Sequence, residues 1–107
     1  MTQQSSTGAL TEAVYYILLS LQVPRHGYGM MQFVQELSNG RVQLAPGTLY
    51  GALSSLVERG WIQALEGTGR KKEYEITEAG RKALRSELNR LEELVRHGHE
   101  WTKGLDT

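Results

Sequence analysis

Apolar positions recur at helical spacing in four stretches of this chain and alternate with polar ones in two, which predicts three helices, a hairpin and a long last helix. In the first stretch, 10–21 (LTEAVYYILLSL), Leu10, Ala13, Val14, Ile17, Leu18 and Leu21 form one stripe. Tyr15, Tyr16 and Leu19 add apolar surface on other faces, so this helix is expected to be central and buried on more than one side. Thr11 is suited to cap a slightly later start, with Glu12 in the first turn. Pro24 and Gly27 break the pattern. A second helix follows over 28–37, with Met30, Met31, Val34 and Leu37 inward, and Asn39 or Gly40 suited to its left-handed end. The alternation in 41–44 (RVQL) predicts a short extended piece.

The stretch 46–62 (PGTLYGALSSLVERGWI) holds a helix start, a helix stop and the start of a strand. Pro46 and Gly47 predict a turn, Thr48 stands near the helix start, and Gly60 ends it. Leu49, Ala52, Leu53, Leu56 and Val57 share the apolar face. Thr48, Tyr50, Gly51, Ser54 and Ser55 lie off it. A helix that only meets solvent more often carries long charged side chains, so this face of small groups lets a partner approach the backbone closely.

Segments 61–65 (WIQAL) and 73–77 (EYEIT) alternate as half-buried strands, with Tyr74 on the core side. Between them 66–72 (EGTGRKK) puts two glycines beside Arg70, Lys71 and Lys72. The last helix starts after Thr77. Leu84, Leu88, Leu91, Val95 and Gly98 follow at steps of four and three, a heptad seam, with Leu94 and Trp101 beside it. An apolar stripe on an otherwise polar helix marks an interface.

Composition narrows the function classes. The chain has 12 basic and 12 acidic side chains and no cysteine. That excludes disulfides and thiolate metal sites, and a cytoplasmic location is expected. The longest apolar run, Ala13–Leu19, is too short for a membrane span. Residues 1–8 (MTQQSSTG) lack the features of a signal peptide and read as a flexible tail. Net charge is zero, yet the signs are segregated: Arg70–Lys72 and Arg81, Lys82 and Arg85 against Glu87, Glu92, Glu93 and Glu100. Such polarity orients a protein on a polyanion. His97 and His99, two residues apart, fall on different helix faces, and no metal or cofactor is implied. Neither a nucleophile–base–acid set nor the phosphate-loop spacing is present, so an enzyme is not expected.

Three motifs, 26–29 (HGYG), 46–62 and 71–80 (KKEYEITEAG), together resemble the PadR family of transcriptional regulators over about Leu10–Gly80. The resemblance implies a mainly α fold with a two-stranded hairpin, a winged helix-turn-helix over 10–77. Tails would occupy 1–9 and 102–107, and a helix over 78–101 resembles the dimerising helix of smaller family members. It implies binding to double-stranded DNA as a homodimer, as a repressor on a near-palindromic operator. Carried onto this chain, Thr48, Tyr50, Gly51 and Ser54 face the major groove. Tyr28 lies near the backbone, and Arg70, Lys71 and Lys72 on the wing meet phosphates or the minor groove. Gly51 departs from the basic residue that many members carry after the tyrosine. Leu84, Leu88, Leu91, Leu94, Val95 and Trp101 map to the dimer interface. Some small members bind flat aromatic drugs between tryptophans there, which makes Trp101 the candidate platform for a small aromatic effector. The alternative is a protein-interaction module that keeps the winged-helix shape without binding DNA.

Overall fold

The computed structural model describes residues 8–67 and 71–105. Six elements follow in order: α1 (Glu12–Ser20), α2 (Gly27–Leu37), α3 (Pro46–Arg59), β1 (Ile62–Ala64), β2 (Tyr74–Ile76) and α4 (Glu78–Trp101). The mainly helical class with one antiparallel hairpin is the one expected. The tails and the hairpin tip lie wholly or partly outside the described residues, Arg70 among them.

Local chemistry sets the helix ends. The Thr11 hydroxyl accepts the Val14 N–H at 3.1 Å and starts α1. Asn39 (φ 56°) and Gly40 (φ 77°) both turn left-handed after α2, and the Gly40 N–H donates back to the Gln35 carbonyl at 2.8 Å. Gly60 (φ 78°) does the same for α3, with the Trp61 N–H on the Leu56 carbonyl at 3.0 Å. Pro46 and Gly47 do not form a separate turn. Pro46 is the first helical residue after the cap position Ala45, where its fixed φ suits the helix and its missing N–H costs nothing.

The core gathers one face from each element. Ile17, Leu18, Leu21, Met30, Leu49, Leu53, Leu56, Ile62 and Ile76 are all essentially inaccessible to solvent. Val14, Met31, Ala52, Tyr74 and Leu84 pack partly against them. Two residues expected inward are not. Leu37, the last residue of α2, and Val57, in the last turn of α3, are both exposed, because each stands at the end of its helix at the edge of the buried stripe. The 41–44 segment forms no strand. Its start is held by Ser38, whose hydroxyl accepts the Val42 N–H at 3.0 Å.

The hairpin pairs Ile62 with Ile76, Gln63 with Glu75 and Ala64 with Tyr74. Ile62 and Ile76 enter the core together, and Gln63 donates to Glu75 at 2.9 Å on the other face. The free edge of β2 is covered by the segment before α2. Arg25 and Tyr74 exchange backbone hydrogen bonds at 3.1 and 2.9 Å, and the Ile76 N–H reaches the Leu21 carbonyl at 2.9 Å. Covering an edge removes a template for unwanted pairing. The sequence showed only a helix break at 23–27, since backbone pairing leaves no mark on side-chain type.

Thr77 joins hairpin and α4. Its hydroxyl accepts the Gly80 N–H at 3.1 Å and donates to the Gly60 carbonyl at 2.6 Å. Gly80 then lies so near β1 that a β-carbon there would collide with the Trp61 carbonyl oxygen. Only glycine allows that approach.

Glu87, grouped by sequence with the surface acids, is buried at 4% exposure. It accepts both Arg90 nitrogens, Nε at 2.8 Å and NH2 at 2.6 Å, and the Leu10 N–H at 3.3 Å. The Arg90 hydrogen bonds hold its pKa below the usual carboxylate value; burial opposes this and the Leu10 N–H assists it. A lowered folded pKa means that the contribution to stability is present above the ordinary value of about 4.3 and is lost as pH falls through the folded value. Between about pH 5 and pH 3 the urea midpoint of Glu87→Gln is therefore expected to fall less than that of the parent. An equal fall would assign the acid sensitivity to other carboxylates.

Candidate nucleic-acid interface

The buried leucines of α3 decide what its opposite face presents. Leu49, Leu53 and Leu56 anchor the helix, and Thr48, Tyr50, Gly51, Ser54 and Ser55 are left on the outside. No side chain caps α3, and both Gly47 and Thr48 are exposed in its first turn. The start of such a helix carries unsatisfied N–H donors and the positive end of the helix dipole. The exposed surface of its first turns, up to Ser55, is thus short hydroxyls, one aromatic ring and bare backbone, with Glu58 and Arg59 exposed in the last turn.

Tyr28 and Tyr50 are 63% and 46% exposed, so neither completes the core. Tyr50 is not free-standing, however. Its ring reaches across to the start of α2 and lies over Gly27. The starts of α2 and α3, which carry Tyr28 and Tyr50, are therefore adjacent. The third component, the hairpin, is fixed to the same corner through the Arg25–Tyr74 pairing two residues before α2. Arg25 itself is spent on structure. Its Nε donates to the Ser20 carbonyl at 2.6 Å and its guanidinium lies 4.6 Å from the Phe33 ring centroid.

At the hairpin tip Lys71 and Lys72 are both exposed. A β-carbon on Gly67 would lie 3.3 Å from the Lys72 Cα and 3.4 Å from the Lys71 carbonyl, so the two legs close tightly just behind the cations. Sequence reasoning found these cations and the α3 face. It missed Gly27 as a contact of Tyr50, because a glycine at a helix start reads only as a turn signal.

The remaining site residues lie along α4 and apart from this corner. Leu84 packs partly against the core of its own chain. The last buried residue of α4 is Glu87. Beyond it Leu88, Leu94, Val95 and Trp101 are exposed, Trp101 at 83%, and Leu91 is half-buried. Leu88, Leu91 and Val95 line a shallow groove that Glu92, Arg96, His99, Glu100 and Lys103 border. At 1.5 Å per residue Trp101 stands about 21 Å along the helix from Glu87. Among the described residues no helix is long and apolar enough to cross a membrane.

Three helices followed by a two-stranded hairpin, with the exposed face of the third helix framed by the start of the second, define a winged helix-turn-helix protein. Residues 14–86 match the model of the transcriptional regulator PadR-like family, and the chain belongs to that family. The family is one of transcriptional regulators, not of enzymes. The chain is 31% identical over 74 residues to the transcriptional regulator YqjI of Escherichia coli, a match covering 66% of this chain and 36% of that protein. The chain spans only 20–36% of the lengths of the curated relatives it matches. Its fold is similar to that of a transcriptional regulator from Clostridium thermocellum, Cth-833, with a TM-score of 0.71 at 20% identity, over 83% of this chain and 90% of that one. It is also similar to Bacillus subtilis PadR in complex with operator DNA, with a TM-score of 0.62 at 25% identity, over 73% of this chain and 47% of that one.

Proposed function

We propose that this protein is a sequence-specific DNA-binding transcriptional repressor that acts as a homodimer on a near-palindromic operator. The observation that carries the reading is the exposed face of the first turns of α3, backed by three buried leucines and free of charged side chains from Thr48 to Ser55. The likeness to a PadR solved with operator DNA supports it. In this reading α3 enters the major groove. Thr48 and Ser54 hydrogen-bond base edges, and Tyr50 packs on a thymine methyl or reaches a phosphate. Gly51 lets the backbone approach. Tyr28 and the wing cations Arg70, Lys71 and Lys72 bind the phosphates, which supply most of the affinity. With Gly51 in place of a cation, the wing carries more of the charge neutralisation.

The two kinds of contact separate by their salt dependence. Tyr50→Ala is expected to weaken binding with the salt slope unchanged, whereas Lys71→Ala lowers the log–log slope by about 0.9. Fluorescence anisotropy on a duplex selected from a random library measures both. Failure of the wild-type protein to bind any duplex even at low salt would instead favour a protein-interaction module.

The exposed half of α4 supports the dimer. A second copy laid along Leu88, Leu91, Leu94 and Val95 covers an apolar stripe that water otherwise meets. A two-fold pair spaces its α3 helices by roughly one DNA turn, about 34–36 Å. Leu91→Glu with Val95→Glu is expected to give a folded monomer in sedimentation, with unchanged helical circular dichroism. A variant that stays dimeric would move the interface elsewhere.

Trp101, at the exposed end of the same helix, is the platform we assign to a flat aromatic effector that releases DNA. Planar cationic dyes are expected to quench its emission beyond what a Trp101→Phe control shows. Equal quenching in the control removes the assignment.

A further inference from the structure

Gly27 opens α2 and is buried, yet its backbone is ordinary; it is not one of the described glycines with positive φ. Conformational freedom does not account for a glycine there. Space does. Where a side chain would begin, the ring of Tyr50 stands. A β-carbon on Gly27 would run into the Tyr50 hydroxyl oxygen and lie 2.9 Å from its Cζ, with Leu49 Cδ2 at 3.3 Å. The obstruction differs in kind from that at Gly80, where the obstacle is the Trp61 main-chain carbonyl. At Gly27 it is the far end of a side chain that can swing away. A methyl group at position 27 therefore displaces the ring and asks only a few tenths of an ångström of Leu49, which leaves the fold in place.

We propose that Gly27 is a positioning residue: its missing side chain is the socket that holds the Tyr50 ring against the first turn of α2, fixing where the hydroxyl is offered to DNA. The inference rests on the reading of α3 as the DNA-binding helix. Among the described residues the Tyr50 hydroxyl makes no hydrogen bond; it is the atom seated nearest Gly27, and the residue as a whole stays 46% exposed, so the seated ring still meets a partner from its outer side. A ring seated before binding has less rotational freedom to lose. Immobilising a loose side chain on association costs about two- to tenfold in affinity. The socket also makes the starts of α2 and α3 one unit, so that Tyr28 and Tyr50 meet the DNA at a fixed separation.

The test uses the full chain, the duplex that the wild-type protein recovers from a random library, and ¹³C-labelled tyrosine, with Tyr50→Phe to assign the ring. Gly27→Ala is expected to keep or raise the thermal midpoint, because alanine favours helix over glycine. It is expected to shift the Tyr50 ring signals in the free protein and to weaken binding about two- to tenfold. In a Tyr50→Ala background the same substitution is expected to change nothing further, which a merely structural role at position 27 would not produce. Unmoved ring signals, or an equal loss in both backgrounds, overturn the proposal. So does Gly27→Ala binding as well as the wild type, with the DNA-binding reading left intact. A wild-type protein that retains no duplex overturns that reading and the proposal with it.

Discussion

Leu49, Leu53 and Leu56 sink into a core made by α1, α2 and the two isoleucines of the hairpin, and this anchoring fixes which way α3 faces. A helix held by one strip of leucines has no freedom to roll. Every residue assigned to DNA contact on α3 inherits its direction from that strip. The same burial helps hold the fold, at about 25 cal/mol per Å² of apolar surface removed from water. If α3 reads DNA as proposed, stability and function are opposite faces of one helix, and their requirements differ. The inner face needs volume, and the outer face needs the absence of it.

Around that helix the chain is closed by backbone contacts. Gly60 turns the chain from α3 into β1, Thr77 returns to the Gly60 carbonyl, and Gly80 lets α4 settle on the Trp61 carbonyl. Arg25 closes the opposite edge on Tyr74. The hairpin is consequently short but tied on both sides, which gives the cations at its tip a stiff support. The glycines divide by role. Gly80 admits main chain and Gly27 admits a side chain.

The last helix has two halves with different physics. Up to Glu87 it belongs to the body of the molecule, and buried Glu87, held by half-buried Arg90, binds it through the Leu10 N–H to the segment before α1. Past that point the apolar residues of the seam, half-buried Leu91 apart, are exposed among the described residues. An elongated shape, 56 Å in its longest extent, follows from this projecting half. A second copy laid along it would place the proposed effector platform at Trp101 far from the proposed DNA face, so any signal between them must travel along α4.

Periodicity determined the element order and the outward set Thr48, Tyr50, Gly51 and Ser54, and cap and turn chemistry the helix stops at Asn39–Gly40 and Gly60 and the cap at Thr11. These are local, and local chemistry is written in neighbouring residues. The motifs at 26–29, 46–62 and 71–80 brought the family within reach before any coordinates. Only the tertiary structure decided the rest, because each case depends on what lies opposite. Val57 and Leu37 fit an apolar stripe but meet no neighbour. Glu87 looks like a surface acid but is buried on Arg90. Arg25 looks like part of a loop but extends the hairpin through its backbone. Gly27 looks like a turn signal, and it is empty because a tyrosine from another helix occupies the space. A sequence specifies what each residue offers, and only packing decides what that offer meets.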